Sequence, residues 1–515
     1  MDNATEGSAV GATIGVTKTL LLALSIICIG TVIIRVNTKA TRQASFGARA
    51  PAVASRLPFG FGVTLQLIRQ LGANTVLEWT QKILDVPGRT VELRMVGVNI
   101  IWTDSVENIR AIMSTQSESF GKGETYHKIW SSLMRDSILT TDGHEWQVNR
   151  NHLVPHVGKV RPTDYEVTER HIRNLIEVFS DEKPHDTLDQ MNRFAIDVVS
   201  DIFYGSSTNT LRTNDQSLRD AIQRHKNVNT WRMVFGKLGT SIPPDREACK
   251  VIDTYLAEVV NNFSLENSES LEERDRKAQT MLGALLAQGV PNKVLKDQLV
   301  AVAVGGRDSV AIAATWALYE LVRHPDILHE LRAEISTTVR SAKPPNPSQL
   351  GKMTLLNGVV QETMRLHSSV GMNSRTALKD TTLPTGGGSK GTSPVGILAG
   401  TIVVMGLDSV HRRPDLFGPD AHVFDPHRWD NKWKPDPWTY YPFNRGARIC
   451  LGKSLALMEV KFVLCRLLQA FNNIEWVKKV GEEVVVVDVK KEEGIQTKMA
   501  FNTKPAEIVW LRFRK

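Results

Sequence analysis

The stretch Phe443–Gly452 reads FNRGARICLG, a glycine-bearing loop that holds one cysteine and runs into an apolar segment, Ser454 to Phe471. The segment predicts a helix, so Cys450 stands at a helix N-terminus. There, free N–H groups and the positive end of the helix dipole stabilise a negative sulfur. A buried structural cysteine is the alternative interpretation, and it predicts no particular neighbours. The loop, however, fits the whole pattern F-x-x-G-x-R-x-C-x-G.

This loop resembles the haem-binding loop of the cytochrome P450 monooxygenases. The resemblance implies haem b (iron protoporphyrin IX) as the cofactor and the Cys450 thiolate as axial ligand of its iron. Thiolate ligation favours O–O cleavage, which converts dioxygen into an oxidant of C–H bonds. The other four pattern residues are implied to bind the cofactor: Phe443, Gly446, Arg448 and Gly452. We expect the two glycines to let the backbone approach the flat macrocycle and its ligand sulfur.

Two stretches outside the loop, Leu383 to Gly388 (LPTGGG) and His411 to Asp420 (HRRPDLFGPD), resemble a narrower group. That group is the fungal microsomal cytochromes P450 that hydroxylate alkanes and fatty acids. The likeness covers nearly the whole chain from about Leu57 onward. It implies a mostly α fold with small β-sheets, as a single large cytochrome P450 catalytic domain over residues 46–515.

Three residues are candidates to bind the haem propionates. Trp146 and Arg150 lie four apart in GHEWQVNRNHL, on one face of a predicted helix. The spacing alone is a weak signal, because an arginine packed on an indole at the surface gives the same pattern. The resemblance implies that both donate to a propionate, since an indole N–H and a guanidinium can do so. It also places Arg375 at a position that binds a propionate in some relatives.

Asn292 to Arg323 predicts one long, mostly apolar helix with Gly305 and Gly306 at its centre. Each glycine inside a helix costs about 1 kcal/mol relative to alanine, which suggests that this pair has a purpose. A kink where two helices cross is one explanation. The resemblance implies another: this is the oxygen-activation sequence, in which a local opening of the helix leaves room for dioxygen and water.

The resemblance assigns catalytic roles to the next two polar residues of this helix. Asp308 is implied to be the acid of a proton relay, and Ser309 the hydroxyl that donates a hydrogen bond to dioxygen. The family usually has threonine at the Ser309 position and often a second hydroxyl residue after it, where this chain has Val310. Serine keeps the O–H donor but lacks the methyl group that restricts the threonine rotamer.

Glu362 and Arg365 are three apart in VVQETMRLH, a spacing common on helices. The segment Phe424 to Trp429 (FDPHRW) supplies Arg428. In the family an arginine here joins the glutamate and the first arginine in a buried ionic triad. We therefore expect Glu362, Arg365 and Arg428 to be structural, because removing one member would strand a buried charge at a cost of several kcal/mol.

The run Leu20 to Ile34 has 15 uncharged residues, slightly short of a comfortable bilayer span. It predicts a transmembrane helix at about residues 18–36 within an anchor and basic linker, residues 1–45. A cleaved signal peptide is the alternative. Acidic residues precede the run and basic ones follow it, so the positive-inside rule places the catalytic domain in the cytosol. With the resemblance, this predicts a single-pass protein of the endoplasmic reticulum membrane.

The net charge of +8 raises the question of nucleic acid binding, but no basic tract with interleaved aromatic residues occurs. We therefore expect no nucleic acid partner. The four cysteines have no paired spacing and no C-x-x-C. Neither a disulfide framework nor a zinc site is indicated, and a reducing compartment fits best.

These observations predict a haem-thiolate monooxygenase that hydroxylates or otherwise oxidises an apolar small molecule, a long-chain lipid or a hydrophobic fungal secondary metabolite. No G-x-G-x-x-G follows a predicted strand, so electrons from NADPH are expected to arrive through a separate NADPH–cytochrome P450 reductase. A tailoring oxidase of a polyketide or terpenoid pathway is the main alternative. A haem-thiolate isomerase or dehydratase, and a haem sensor or electron carrier, are more remote, because neither needs the acid and hydroxyl at Asp308 and Ser309.

Overall fold

The computed structural model describes residues 38–515 except 56, 58, 59, 96, 97, 214, 267–269, 341, 342, 431–433 and 482. The apolar run Leu20 to Ile34, on which the prediction of a membrane anchor depends, lies outside the described residues. Within them the chain is mostly helical with small sheets, as the resemblance predicts. Residues 38–44 are helical. The other helices are Phe61–Ala73, Val76–Leu84, Val106–Arg110, Glu124–Met134, Gly143–Val157, Pro162–Phe179, Thr187–Tyr204, Thr210–Thr213, Ser217–Val234, Arg246–Asn261, Leu271–Ala278, Met281–Ala287, Asn292–Arg323, Pro325–Thr338, Pro347–Lys352, Thr354–Leu366, Leu407–His411, Pro414–Phe417 and Lys453–Ala470.

The strands are short and are ordered in four sheets within the described residues. They are β1 (Thr90–Met95), β2 (Val98–Thr103), β3 (Phe120–Gly121), β4 (Pro184–Asp186), β5 (Met372–Ala377), β6 (Thr381–Gly387), β7 (Ser393–Ile397), β8 (Ile402–Gly406), β9 (Asn473–Val480), β10 (Glu483–Val486), β11 (Thr497–Met499), β12 (Thr503–Pro505) and β13 (Trp510–Arg514). The largest sheet has the order β1-β2-β8-β5-β3, in which only β2 and β8 run parallel. A second sheet has the order β10-β9-β13-β4, and β6-β7 and β11-β12 are antiparallel pairs.

The helix Asn292–Arg323, called the central helix below, has the bounds predicted from the sequence. It is 32 residues long, or about 48 Å at the usual rise per residue. Most of its residues are buried in the largest hydrophobic cluster. The helix Thr187–Tyr204 packs along it, and the Tyr204 hydroxyl donates to the Leu299 carbonyl at 2.8 Å. This helix pair forms one wall around the candidate site.

Among the described residues, only the central helix is long and apolar enough to cross a bilayer by length and composition. Its most apolar window is 83% buried inside the protein. The burial and the packing of this helix against its neighbours identify it as the core of the domain.

Two further predictions from the sequence concern the strands β1 and β2 and the stretch Phe120 to Asp136. The sequence predicts a strand pair at residues 90–95 and 99–102, and the structure has the antiparallel strands β1 and β2 there, with Leu93 opposite Ile100. The mixed aromatic and polar residues of Phe120 to Asp136 predict a ligand-facing loop with a short helix. The stretch contains a helix of 11 residues, longer than expected, whose apolar side lies in the main core. Its residues Tyr126, Ile129, Trp130, Leu133 and Met134 recur at the spacing of one helix face, so the sequence does carry the signal of this helix.

Candidate haem-thiolate site

The loop before the helix Lys453–Ala470 has a defined shape. The Cys450 N–H donates to the Phe443 carbonyl at 2.9 Å, which closes the loop around the short turn Gly446–Arg448. The helix begins three residues after Cys450, one residue earlier than predicted. The Cys450 side chain is exposed to a cavity above the loop.

The two loop glycines have different neighbours. Gly446 has φ +70°, and a Cβ placed there would lie 1.8 Å from the Met113 carbonyl oxygen. Only glycine fits this close approach, which is to the protein backbone, and Gly446 is not among the residues that line the cavity. Gly452 does line the cavity, with the nearest atoms to an added Cβ at Val157, 3.7 Å away, and the Cys450 sulfur, 4.0 Å away. The expectation that both glycines face a macrocycle thus fits the position of Gly452 alone.

Two opposing influences act on the Cys450 thiol. Burial raises the pKa of the thiol, while a hydrogen bond from the Gly452 N–H and the charge of Lys453 lower it. Burial outweighs the other two, so the loop by itself holds a thiol. A metal ion bound to the sulfur would remove this proton, because a coordinating thiol is deprotonated by the charge of the metal.

A cavity of about 340 Å³ separates the loop that holds Cys450 from the central helix. Cys450 lies on one side of it, and Gly305, Gly306 and Ser309 lie on the other. Much of the remaining wall is apolar and includes Leu153, Val199, Phe203, Ala301, Val310 and Phe501. Such a cavity suits a large, flat apolar group and an apolar molecule beside it.

Among the described residues, four cations also line the cavity, namely Lys122, Arg150, Arg375 and Arg448. Arg448 is paired with Asp142, with 2.5 Å between Nη2 and Oδ1. Arg375 is 5% exposed, and its hydrogen bonds go to neutral groups, the Asn373 side chain and the Ser374 carbonyl. Burial and the nearby charge of Arg448 lower the pKa of Arg375 to about 10. The cavity wall therefore carries more positive charge than its described neighbours neutralise.

Trp146 lies between two of these cations. The Arg448 guanidinium is 4.6 Å from the centre of the indole ring, and the Arg150 guanidinium is 5.7 Å from it. The sequence alternative of an arginine packed on the indole therefore describes the contact correctly. It does not exclude the cofactor role, because both residues also line the cavity.

The residues present fit a haem. Two propionates would neutralise the excess of cations at one edge, and the apolar walls would contact the macrocycle. Lys122 belongs to this set although sequence reasoning missed it, because a lone lysine in a mixed stretch gives no signal. Burial, Arg375 and Arg448 together lower the pKa of Lys122 well below its usual value, as expected of a cation that lacks a counter-ion. When bound, the haem supplies oxygen activation and the oxidation of C–H bonds.

The central helix continues without interruption through Gly305 and Gly306, and each glycine has its own environment. A Cβ at Gly306 would lie 2.8 Å from a Val199 methyl group, so this glycine permits the close crossing of two helices. A Cβ at Gly305 would meet nothing within 4 Å outside its own helix turns, and Gly305 faces the cavity. Gly305 thus borders only the cavity, whereas Gly306 borders the cavity and also permits the helix crossing.

The structure separates the two predicted catalytic residues. Ser309 lines the cavity, and its hydroxyl makes no hydrogen bond with any described residue. Its carbonyl accepts a hydrogen bond from the Ser369 hydroxyl at 3.1 Å. Asp308 is buried on another side of the helix and is not among the residues that line this cavity. Lys226 and Arg307 both bind its carboxylate.

The structure brings the predicted triad together. Arg365 donates to both Glu362 oxygens at 2.8 and 2.7 Å, and Arg428 Nε lies 3.4 Å from Oε1. Glu362 also accepts hydrogen bonds from the Trp429 indole at 2.9 Å and the Asp425 N–H at 3.0 Å. Glu362 and Arg365 are fully buried. The group ties the helix Thr354–Leu366 to the segment that follows Phe424.

Several known proteins are similar to this chain in sequence. A sequence model of the family described as Cytochrome P450 matches residues 51–484. The chain is 33% identical over 461 residues to cytochrome P450 monooxygenase pvhE of Talaromyces variabilis, which covers 84% of this chain and 85% of that protein. It is 31% identical over 439 residues to cytochrome P450 52A13 of Debaryomyces hansenii, which covers 81% of this chain and 84% of that protein.

A solved structure agrees at the level of the fold. The crystal structure titled cytochrome P450DA heme domain aligns with a TM-score of 0.71 at 19% identity, over 91% of this chain and 97% of that one. The family model matches most of the chain and the relatives are more than 30% identical over about four fifths of it, so the chain belongs to the cytochrome P450 family of monooxygenases.

Proposed function

We propose that this cytochrome P450 hydroxylates or otherwise oxidises a long-chain lipid or a similarly apolar secondary metabolite. The observation that carries the proposal is the cavity between Cys450 and Ser309. Beyond the loop and the cation-rich edge, its walls are mostly aliphatic and aromatic. An apolar substrate gains about 25 cal/mol for each Å² of surface that it buries there.

Several relatives are cytochromes P450 of the 52A series from yeasts, among them 52A6 of Candida tropicalis at 31% identity. With the stretches LPTGGG and HRRPDLFGPD, this likeness favours an alkane or fatty acid as substrate. The relative from Talaromyces variabilis, described as a monooxygenase, is at least as similar. A tailoring reaction on a polyketide or terpenoid therefore stays the second candidate.

The enzyme needs a source of electrons, and its N-terminal region favours attachment to a membrane. Electrons come from NADPH through a separate NADPH–cytochrome P450 reductase. The string G-x-G-x-x-G occurs at Gly386–Gly391, but it joins the strands β6 and β7 and opens no helix, so it is not a dinucleotide-binding motif. The run Leu20 to Ile34 and the basic residues after it support a single-pass anchor in the endoplasmic reticulum membrane, with the catalytic domain in the cytosol.

Substrate-dependent NADPH consumption tests this function. The full-length chain, in membranes with a fungal NADPH–cytochrome P450 reductase, is offered long-chain fatty acids, alkanes, and metabolite extracts containing terpenoids and polyketides. We expect one class to accelerate NADPH use and to gain one oxygen atom by mass spectrometry. Product formation without NADPH would instead indicate an isomerase or dehydratase, and NADPH use that no substrate changes would contradict a monooxygenase.

The free Ser309 hydroxyl leads to a prediction about coupling. Ser309→Ala should consume NADPH at close to the normal rate, while the ratio of product to hydrogen peroxide falls about tenfold, the effect of losing one hydrogen bond of roughly 1.4 kcal/mol. Ser309→Thr should raise the ratio above that of the natural chain, because the added methyl restricts the rotamer. Product, peroxide and NADPH are measured together.

Thr315→Val is the matched control for this prediction. Thr315 lies on the same helix, but its hydroxyl donates to the Ala311 carbonyl at 2.7 Å and is buried away from the cavity. Its loss should leave the product-to-peroxide ratio unchanged. An unchanged ratio in Ser309→Ala would show that the serine only packs the helix.

A further inference from the structure

A second, smaller cavity lies beside the main one. It measures about 30 Å³, room for about two water molecules, and is called the side chamber below. Polar side chains line much of it, among them Gln223, Lys226, Asn227, Asp308 and Lys504. The side chamber and the main cavity share two lining residues, Phe501 and Asn502. Asp308 therefore faces the side chamber and reaches the main cavity only across this partition.

Both oxygens of the Asp308 carboxylate are occupied. Lys226 Nζ donates to Oδ2, and Arg307 Nε donates to Oδ1 at 2.5 Å. Burial would raise the pKa of Asp308, but the two cations and their hydrogen bonds outweigh it and hold the pKa far below its usual range. Asp308 is thus a carboxylate at neutral pH and has no proton of its own to give.

The proton nearest to Asp308 that can be lost belongs to Lys226. Arginine keeps its proton at any relevant pH, whereas a buried lysine can release one. Lys226 is 2% exposed, and its Nζ also lies 3.5 Å from the Asn502 side-chain oxygen, at the partition to the main cavity. Burial lowers the pKa of Lys226, the Asp308 charge partly reverses this, and Arg307 and Lys504 lower it further.

We propose that Lys226 is the proton-holding residue of this site and that Asp308 is its fixed counter-ion. A proton leaves Lys226 Nζ past Asn502 toward the main cavity. A proton that enters from solvent beside the exposed Asn227, carried by water in the side chamber, restores the charged amine. No electrons move in this step. Lys226 does not line the main cavity, so it acts on the reaction only by holding and releasing this proton. The inference rests on the proposed monooxygenase function and deepens it.

The charges around the side chamber favour this release. Lys226, Arg307 and Lys504 all act on Asp308, and Lys504 also feels the charges of Asp186 and Lys498. The four cations of this group thus face two carboxylates, an excess of two positive charges. Loss of one proton halves that excess. Arg307 cannot be the source, and Lys504 makes no hydrogen bond with Asp308 among the described contacts.

The decisive variant is Lys226→Arg, which keeps the charge and can donate to Asp308 but cannot release its proton. We expect normal folding and haem content, with substrate-dependent NADPH turnover at least about tenfold lower, as for loss of an acid–base group. Turnover of the natural chain should fall as pH rises through the lowered pKa of Lys226, because the amine then lacks its proton. The variant should lack this fall.

Lys293→Arg is the matched control, since Lys293 pairs with Asp136 at 2.9 Å on the surface end of the central helix. Its turnover and pH profile should equal those of the natural chain. Equal turnover and an equal pH profile for Lys226→Arg would show that Lys226 serves only as an ion-pair partner.

A spectroscopic titration tests the proton without catalysis. With ¹³C-labelled lysine, the Lys226 side-chain signal, identified by its loss in Lys226→Arg, should titrate below the ordinary 10.5. In Asp308→Asn it should titrate lower still, because the counter-ion is gone. A Lys226 signal that stays charged up to 10.5 would overturn the inference even if Lys226→Arg does not fold. If the natural chain uses no NADPH with any substrate, the proposed function fails, and this titration still decides the state of Lys226.

Discussion

The Cys450→Ala variant is expected to lose the absorption band that the reduced carbon monoxide complex of thiolate-ligated haem gives, and all monooxygenase activity with it. Of the three cysteines among the described residues, Cys450 alone lines the cavity. No other described side chain can therefore place a thiolate there. Without the sulfur, the axial position has only alanine, and the electron donation that favours O–O cleavage is absent.

Cys465→Ala is the control for this prediction. Cys465 lies on the helix Lys453–Ala470 that follows Cys450, but it is fully buried in the hydrophobic core, where burial raises the pKa of its thiol to about 12. We expect the band to persist, with a loss of stability of about 1 kcal/mol from the truncated side chain. The band is measured by difference spectroscopy of the reduced protein with and without carbon monoxide. A Cys450→Ala protein that retained it would disprove the ligand assignment.

The elements with strong local signals could be predicted from the sequence. The central helix has the bounds that the sequence predicts, because an apolar segment of this length with polar residues at both ends is typical of a buried helix. The strands β1 and β2 are predictable because Val96-Gly97-Val98 separates an alternating segment, residues 90–95, from an apolar one, residues 99–102. By contrast, only a short helix is expected within Phe120 to Asp136, although Ile129, Trp130, Leu133 and Met134 follow Tyr126 at the spacing of one helix face.

The residues of the site can be predicted from the sequence where a motif contains them, but not where they depend on contacts between distant segments. Cys450 follows from its loop, and the meeting of Glu362, Arg365 and Arg428 follows from resemblance. Lys226 could not be found, because its partner Asp308 is 82 residues away and nothing near Lys226 distinguishes it from a surface lysine. Pairings of this kind depend on the helix packing of the whole domain.

Gly446 and Asp308 illustrate a second limit. A motif shows that glycine is needed at position 446 but not the reason for it. The reason is the close Met113 carbonyl, which a local sequence pattern cannot reveal. Likewise the sequence predicts an acid at residue 308 but not its ionisation, since the pKa depends on Lys226 and Arg307. The chemistry of such residues follows from their three-dimensional neighbours.

Glu362→Gln should be the most destabilising of the conservative substitutions considered, with a loss of about 3–5 kcal/mol in the free energy of unfolding. Glutamine keeps the size of the side chain but removes the charge that faces the fully buried Arg365 guanidinium. The remaining Arg365 N–H groups donate to neutral carbonyls of His411, Ala421 and Val423, which cannot replace a counter-ion. Such a loss is a large share of the 5–15 kcal/mol that stabilises a typical domain.

Two comparisons make this prediction specific to burial. Glu330 pairs with His427 at 3.2 Å close to the triad, but both side chains are about half exposed, so Glu330→Gln should cost less than about 1 kcal/mol. Arg428→Leu should cost less than Arg365→Leu, because Arg428 Nε is 3.4 Å from Glu362 and its Nη2 bonds to the solvent-exposed Asp420. Urea unfolding of the four variants measures the order. If Glu362→Gln were no more destabilising than Glu330→Gln, the triad would be an arrangement of hydrogen bonds in which the charge of Glu362 is not needed.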